Sequence, residues 1–322
     1  MKFGLVIQGP LLSIGRGVGS YKKKSETKEE EILHHECDNT IINNINNYGE
    51  LFDQIVISTW EEETVSDNLQ SFIAENSKTQ IFKFHKKGIL KLPKLNVPSS
   101  WSNKTSSIMS VNNNLNQYTG CRLGVEKLNK CDFVIRIRTD QEINLAALKI
   151  FVQNNDSRIT IPGIFFENNL YQIADFYFGG SYAKIIDFFS ACSKNIYDFS
   201  PHINPISSLA NAFCLDDLEM KAEILHYAKD SFQYKIMQNH VVNNHLRPAP
   251  AEIYQTISWR GEKAGAEWRK QNNNLYFSEN FDSIKNLKLS KDSKQIDSKL
   301  FNPKSHFFTK VMRRLFKINL FK

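Results

Sequence analysis

The chain has 322 residues, 41% of them hydrophobic and 23% charged, with a net charge of +7. This composition is that of a globular protein with a sizeable core, and the sequence contains no apolar run long enough to span a bilayer. The basic excess suits phosphate-bearing ligands or an anionic membrane. Nucleic acid is not an expected partner, because no helix-turn-helix or aromatic-basic motif is present.

The N-terminus and the cysteines indicate the compartment. Residues 1–7 are too short for the apolar core of a signal peptide. The cysteines are few, odd in number and without a Cys-x-x-Cys pair: Cys37, Cys121, Cys131, Cys192 and Cys214. We therefore expect free thiols, no zinc site and a cytoplasmic protein.

Three Val- and Ile-rich runs predict buried strands whose ends are polar or break the strand. The runs are residues 3–7, 52–60 and 133–142. Their ends carry Gln8, Gly9, Pro10 and Leu11, then Ser58, Thr59 and Trp60, then Arg138, Thr139 and Asp140. Because strands alternate with predicted helices, we expect an α/β fold, with a mostly parallel central sheet and helices on both faces. The three ends would then meet along one edge.

The glycines after the first strand form no recognised phosphate loop. Gly15, Gly17 and Gly19 match neither the Rossmann fingerprint nor the P-loop, and they predict a flexible loop. Residues 22–36 are heavily charged and predict a solvated loop or helix face. Farther on, residues 112–128 predict a helix in which Gly120 and Gly124 allow close packing on a sheet or a ligand.

The third run is the candidate centre of the chemistry. With a period of two, Arg136, Arg138, Asp140 and Glu142 share one face, and ligands of open α/β sheets bind beyond the carboxyl ends of strands. A carboxylate there can hold Mg²⁺ together with substrate phosphates, and Arg138 can pair with a phosphate. The alternative is an Arg138–Asp140 ion pair without a ligand. Asp175, in an aromatic stretch before a double glycine, is a further candidate, and it could instead cap a local turn.

Five short motifs occur in an order that resembles WavE-type proteins of lipopolysaccharide and surface-polysaccharide biosynthesis. They span roughly residues 3–230. The motifs are Val6-Ile7-Gln8-Gly9-Pro10-Leu11, Val56-Ile57-Ser58-Thr59-Trp60, Asn116-Gln117-x-x-Gly120 with Gly124, Ile137-Arg138-Thr139-Asp140 and Asp175-Phe176-x-x-Gly179.

This resemblance implies a GT-A-like glycosyltransferase that takes a nucleotide-sugar donor. Arg138-Thr139-Asp140 would stand in place of the Asp-x-Asp motif, with Asp140 on the ribose or on a single Mg²⁺ or Mn²⁺ and Arg138 doing part of the metal's work. The donor would lie against Gln8 to Leu11, Ser58 to Trp60, Asn116 and Gln117. Asp175 would sit on the sugar or acceptor side.

The general base of an inverting transfer must reach the acceptor hydroxyl. Asp217 and Glu219 are candidates by position, and their alternative role is to place acidic charge in the first turns of a helix. Two pairs, Trp259-Arg260 and Trp268-Arg269, could stack on a sugar or base, although we expect them to pack in the core.

The C-terminal part predicts a separate unit. Residues 1–270 would form the catalytic domain, residues 271–302 a polar linker, and residues 303–322 a basic amphipathic helix without acidic residues. Such a helix can lie on an anionic membrane surface, which would place the protein on the inner face of the cytoplasmic membrane beside a glycan or lipid-linked acceptor. Docking of this helix on the body is the alternative.

Two other functions fit the same residues. A nucleotidyltransferase would also place acids at strand ends, and the Gly15–Gly19 loop with the lysines at 22–24 is compatible with it. A non-catalytic membrane-associated scaffold would need only the tail. Loss of turnover in an Asp140→Ala variant would separate either enzyme from the scaffold.

Overall fold

A computed structural model gives the fold. It describes residues 1–16, 32–86, 106–154, 158–167, 170–194, 241–271 and 275–281.

The strands are short, as in most α/β proteins. They are β1 (Phe3–Gln8), β2 (Leu12–Arg16), β3 (Ile32–Glu36), β4 (Gln54–Trp60), β5 (Thr79–Phe84), β6 (Phe133–Arg138), β7 (Gln141–Glu142), β8 (Ile159–Ile161), β9 (Ile164–Glu167), β10 (Leu170–Ile173), β11 (Tyr177–Ser181), β12 (Leu246–Pro248), β13 (Ser258–Trp259) and β14 (Leu275–Tyr276).

Helices follow β3, β4, β5 and β7 in the N-terminal half. They are α1 (Asp38–Tyr48), α2 (Asp67–Glu75), α3 (Ser106–Glu126), α4 (Leu145–Gln153), α5 (Tyr182–Lys194), α6 (Ala251–Gln255) and α7 (Ala264–Gln271). Single 3₁₀ turns lie at Gly49–Leu51 and Ser278–Asn280.

The central sheet has seven strands in the order β12-β8-β11-β6-β1-β4-β5. Strand β1 runs parallel to both β4 and β6, and β4 runs parallel to β5. The exception is β11, which is antiparallel to β6 and β8. The predicted α/β fold with a mostly parallel central sheet is therefore confirmed.

Both faces of this sheet are covered, as predicted. One core cluster joins Leu5 and Ile7 of β1 to apolar residues of α1, α2 and α4. The other joins Val6 and Val56 to α3 and α5. Alternate residues of β1 thus enter opposite cores, which is the period-two pattern of a strand buried on both faces.

Two segments differ from the sequence-based expectation. The predicted flexible loop begins with β2, and the predicted solvated segment ends in β3, which pairs antiparallel with β2. Ser13 is buried between exposed Leu12 and Ile14, so this ribbon is polar on its inner side. The sequence did not predict these two strands because they are short and contain Gly15, His34 and His35, which weaken the alternating apolar pattern of a strand.

The packed body extends beyond the predicted domain boundary at residue 270. Strand β14 pairs with β9, and Leu275, Phe277 and Phe281 are buried. These apolar side chains lie within the stretch predicted as a polar linker, and their burial explains why the chain stays on the body there. The predicted amphipathic helix at 303–322 lies outside the described residues.

Within the described part of the chain, the helices are all too short or too polar to cross a bilayer.

Candidate functional site

The carboxyl ends of β1, β4 and β6 lie side by side, as predicted from their parallel pairing. Gln8 is in register with Ser58 on one side and with Arg138 on the other. From β1 the chain continues to β4 on one side, and only later reaches β6 on the other side. The β1/β6 junction is therefore a topological switch point, where open α/β sheets leave a crevice for ligands.

Asp175 reaches the same edge for a different reason. Strand β11 is antiparallel to β6, and its first residue, Tyr177, is in register with Ile137. The residues before β11 therefore lie beside the end of β6. This places Asp175, in the bend before β11, next to Arg138 at the end of β6.

Arg138 links the two acidic residues of the site. Its Nε donates to Asp140 Oδ1 at 2.9 Å and its Nη1 donates to Asp175 Oδ2 at 2.9 Å. Gln117 of α3 also donates to Asp175 Oδ2, at 2.7 Å. The predicted residues Arg138, Asp140, Asp175 and Gln117 thus form one network.

Asp140 is the most enclosed member, with 1% of its side chain exposed. Oδ2 accepts from Ser13 Oγ at 2.7 Å, Trp259 Nε1 at 3.0 Å, Arg138 Nη2 at 3.1 Å and Arg260 Nε at 3.3 Å. Together with the bond from Arg138 Nε to Oδ1, five donor contacts converge on one carboxylate. Four of these contacts reach Oδ2 and one reaches Oδ1, so both oxygens of Asp140 accept from protein donors.

Trp259 and Arg260 reach Asp140 through a tight hairpin turn. Trp259 and Glu262 exchange two backbone hydrogen bonds, of 2.8 and 3.0 Å, while Arg260 and Gly261 between them have φ values of 52° and 80°. Two positive φ values in a two-residue loop are typical of a type I′ turn. Arginine rarely adopts this conformation, and such strain is common at functional sites.

The contacts of Arg260 compensate for that strain. Its backbone N–H donates to the Asp140 carbonyl at 2.8 Å, and its Nε also reaches Ser13 Oγ at 3.1 Å. The guanidinium carbon lies 4.3 Å from the centre of the Trp259 ring, within the range of a cation–π contact. The turn therefore fixes a guanidinium group against Asp140.

Arg136 lies two residues before Arg138 on the same face of β6, with 1% of the residue exposed. Its Nη2 donates to Gln8 Oε1 at 2.7 Å and its Nη1 donates to the Asp175 carbonyl. Gln8 also accepts from the Cys121 thiol at 3.5 Å. Gln8 thus holds a buried arginine with its side chain, rather than presenting that side chain to solvent.

The loop after β1 is pressed against the end of β6. Gly9 has φ +152°, and a Cβ there would lie 2.4 Å from Thr139 Oγ1. That hydroxyl donates to the Pro10 carbonyl at 2.7 Å. The loop is also held by Glu63, whose carboxylate accepts from Leu11 N at 2.9 Å. Glycine at position 9 is therefore required by a close approach as well as by backbone conformation.

The two central charges stabilise each other. Burial opposes ionisation of Asp140, but Arg138, Ser13 and Arg260 outweigh it and hold the pKa of the Asp140 carboxyl well below its usual range. Burial likewise opposes the charge of Arg138, yet Asp140 and Asp175 hold the pKa of its guanidinium above the ordinary value. Both groups are charged at neutral pH.

The network carries more positive than negative charge. This arginine network consists of three arginines and two aspartates, a formal excess of one positive charge: Arg136, Arg138, Arg260, Asp140 and Asp175. The side chain of Arg138 is 21% exposed and that of Asp175 14%, against 8% for Arg260 and 1% for Asp140. A ligand arriving from solvent therefore meets Arg138 before Asp140.

Other predicted site residues are placed elsewhere. Ser58 Oγ donates to the Gly120 carbonyl at 2.8 Å, so this hydroxyl attaches α3 to the sheet. Thr59 is fully buried, and its hydroxyl has no hydrogen-bond partner among the described residues. Trp60 packs beside Phe84 and under Lys86.

The remaining predicted residues lie in the core, at the surface or outside the description. Asn116 and Leu11 are buried. Glu142 accepts a hydrogen bond from exposed Asn43 and does not join the Asp140 network, because the chain turns after Arg138 and the strand alternation stops. Asp217 and Glu219 lie outside the described residues.

Sequence analysis missed Ser13, and it expected the Trp259-Arg260 pair to pack in the core, with stacking on a sugar or base as the alternative. Trp259 does pack against Phe176 and Trp268, but its indole N–H also holds Asp140. Pairing of β13 with β7 brings Trp259 and Arg260 to Asp140, although about 120 positions separate them in the sequence. The only local signal was the Arg260-Gly261 pair, which is compatible with a tight turn.

A divalent cation does not fit Asp140 as this carboxylate is arranged. Mg²⁺ needs near-octahedral oxygen ligands at about 2.0–2.1 Å, and both oxygens of Asp140 already accept from N–H and O–H donors. Among the residues that the structure describes, no group of three or more His, Cys, Asp or Glu side chains could hold a metal. The assignment of Asp140 as a metal ligand stays a prediction from the motif.

A pocket of about 720 Å³ lies beyond the end of β4. Its lining includes Glu61, Glu62 and Glu63, with Lys83 as a basic member. Acidic groups disfavour an anionic ligand, so the charge of this pocket is opposite to that of the arginine network.

No family model matches the chain, and no curated protein matches its sequence. Parts of several solved structures are similar at low identity. HddC from Yersinia pseudotuberculosis, complexed with GMP-PN, is 12% identical over 57% of this chain and 79% of that chain, with a TM-score of 0.31.

Two transferase structures are similar to the same extent. The galactosyltransferase LgtC, in complex with donor and acceptor sugar analogs, is 10% identical over 66% of this chain and 70% of that chain, with a TM-score of 0.33. Mannose-1-phosphate geranyltransferase from Thermus thermophilus is 10% identical over 64% of this chain and 67% of that chain, with a TM-score of 0.27. Similarity this distant assigns neither family nor activity, and membership of the WavE-type family stays a prediction from the five motifs.

Proposed function

We propose that this chain is a GT-A-like glycosyltransferase that moves a sugar from a nucleotide-activated donor to a surface glycan. The observation that carries the proposal is the arginine network at the β1/β6 switch point. It has a formal excess of one positive charge, and its more exposed basic member is Arg138. Such a site favours a doubly charged, oxygen-rich group such as the diphosphate of a nucleotide sugar.

The reaction follows from that placement. The bond between the anomeric carbon and the diphosphate oxygen breaks, and its electron pair stays on the leaving diphosphate. The acceptor hydroxyl oxygen forms the new bond to the anomeric carbon, and its proton passes to a basic side chain. Fixed guanidinium groups stabilise the charge that develops on the leaving group, and Asp217 and Glu219 are the predicted candidates for the base.

The acceptor and location are proposed on sequence grounds. The motif order resembles lipopolysaccharide and capsule biosynthesis proteins, and the tail at 303–322 is basic and apolar. We place the protein in the cytoplasm, peripheral on the inner face of the membrane, with a glycan or lipid-linked glycan as acceptor.

The test is to identify the product. Purified full-length chain is incubated with a panel of nucleotide sugars and a glycan acceptor, and in parallel with nucleoside triphosphates and sugar 1-phosphates. We expect acceptor-dependent release of a nucleoside diphosphate, lost in Arg138→Gln and retained in Arg122→Gln, whose side chain pairs with Glu126 on the exposed side of α3.

Two results would contradict the proposal. Release of pyrophosphate from the second mixture would assign a nucleotidyltransferase. No turnover of either mixture by folded protein would favour the scaffold.

A further inference from the structure

The leaving diphosphate of the proposed reaction needs a counter-charge, and the structure offers guanidinium groups in the place where a metal ligand was expected. Arg138, Arg260 and Arg136 are held in fixed positions by Asp140, Asp175 and Gln8. Each carboxylate at the site is itself engaged by protein donors.

A cation at Asp140 would have to break this arrangement. It would replace the hydrogen bond from Ser13 or those from Arg138, and it would bring a double positive charge next to several guanidinium groups. Asp175, the other carboxylate of the network, accepts from Arg138 and Gln117. The positive charges of Arg138 and Arg260 would oppose binding of the cation, because like charges in close proximity repel each other.

The exposure of the network points the same way. Asp140 has 1% of its side chain exposed and lies behind Arg138, which is 21% exposed. Oxygens of a diphosphate can accept from the outer N–H groups of Arg138 without reaching Asp140. An arginine fork suits such bidentate contact with phosphate.

We propose that this protein binds the diphosphate of its nucleotide donor through Arg138, backed by Arg136 and Arg260, without a divalent cation. Asp140 is then a positioning residue, which holds Arg138 and Arg260 in place and is not a metal ligand. The inference rests on the proposed function, because it concerns the donor of that reaction.

The experiment is calorimetric titration of the full chain with uridine, guanosine, cytidine and thymidine diphosphates. Each titration is carried out in excess EDTA and again with Mg²⁺ or Mn²⁺. We expect one nucleoside diphosphate to bind with the same Kd in both conditions. A Kd that improves about tenfold or more with the metal, equivalent to about 1.4 kcal/mol, would overturn the inference.

Variants separate a binding role from a structural one. Arg138→Gln should weaken binding at least about tenfold in both conditions, and Arg138→Lys should recover part of it, because lysine keeps the charge but not the fork. Asp140→Asn should weaken binding equally with and without metal, whereas loss of a metal response alone would assign Asp140 to a cation. Arg122→Gln is the matched control and should bind as the wild type does.

The two proposals fail in different ways. If the nucleoside diphosphates bind in neither condition to folded wild-type protein, the proposed function is contradicted, and this inference with it. If one of them binds only with metal, the proposed function stands and the metal-free site is wrong. The wild-type comparison alone decides this, even if an arginine variant does not fold.

Discussion

Among the single residues of the site, Asp140 is the one whose surroundings matter most. A lone Arg-x-Asp pair at a strand end is compatible with a surface ion pair, which contributes about 0–1 kcal/mol. Here the carboxylate is buried and accepts from Arg138, Arg260, Ser13 and Trp259. Removing one partner of a buried pair leaves an uncompensated charge, so Asp140 should matter for stability as well as for ligand binding.

We predict that Asp140→Asn destabilises the protein by about 3–5 kcal/mol at neutral pH. Because the folded pKa of Asp140 is depressed, its contribution is fully present above the unfolded carboxyl pKa of about 3.9. It is lost as the pH falls through the lower folded pKa. In urea unfolding, the difference in unfolding free energy between wild type and variant should therefore become smaller below about pH 4.

The control is Asp67→Asn at the exposed start of α2, which should cost less than about 1 kcal/mol. If the difference in unfolding free energy between wild type and Asp140→Asn stays constant down to the lowest pH, the depressed pKa of Asp140 is contradicted.

Gly9 is the other residue with a specific requirement. Gly9→Ala combines an unfavourable φ with a Cβ 2.4 Å from Thr139 Oγ1, and we expect a loss of about 2–3 kcal/mol in unfolding free energy. Gly261→Ala has a positive φ but no atom within 4 Å of its Cβ, so it should lose only about 1–2 kcal/mol. Equal losses in urea titrations would show that the contact with Thr139 is unimportant.

At the scale of elements, the site could be predicted from the sequence only in part. The ends of β1 and β6 were predictable, because alternation and strand-ending residues are local signals. The β13 turn was not, since its pairing with β7 is long-range and Arg260 occupies a conformation that sequence preference disfavours. The same limit hid the polar β2–β3 ribbon that supplies Ser13.

Helix α3 shows what a local signal can reveal about packing. The glycines predicted to allow close approach do lie on the sheet: a Cβ at Gly124 would be 2.9 Å from Val6 Cγ1 and 3.1 Å from Ser58 Cβ. Gln117 on the same helix meets Asp175. Close packing of α3 therefore sets the distance between helix and site.

We predict that Gly124→Ala costs about 1–3 kcal/mol through overpacking. In a double-mutant cycle with Val6→Ala, the combined loss should be smaller than the sum, because the smaller side chain makes room for the new methyl group. Chemical denaturation of the four proteins measures this. Additive losses would mean that α3 shifts freely on the sheet.

At the scale of the whole molecule, charge is distributed between two places. The network at the sheet edge has a small positive excess, while the tail at 303–322 has basic residues and no acids. The first suits a phosphate group and the second a membrane surface. Together they would bring a soluble donor and a membrane-bound acceptor to the same protein.

We predict that deleting residues 305–322 reduces binding to vesicles that contain anionic lipid, with little change on neutral vesicles. Each basic residue near such a surface contributes about 1 kcal/mol. A full-length variant in which Lys310, Arg313, Arg314 and Lys317 are replaced by Gln should lose most of the same binding in a sedimentation assay. If the truncated chain sediments with anionic vesicles as well as the intact one, the tail is not the membrane contact.

The central claim is that the arginine network is the donor site. The most direct test is to locate the binding site of a nucleoside diphosphate by hydrogen–deuterium exchange of the full chain with and without that ligand. We predict added protection in peptides that cover residues 8–16, 136–143 and 256–263, which carry the loop after β1, the end of β6 and the Arg260 turn. Protection confined to residues 61–70 and 81–83, around the acidic pocket, would contradict the assignment of the arginine network as the donor site.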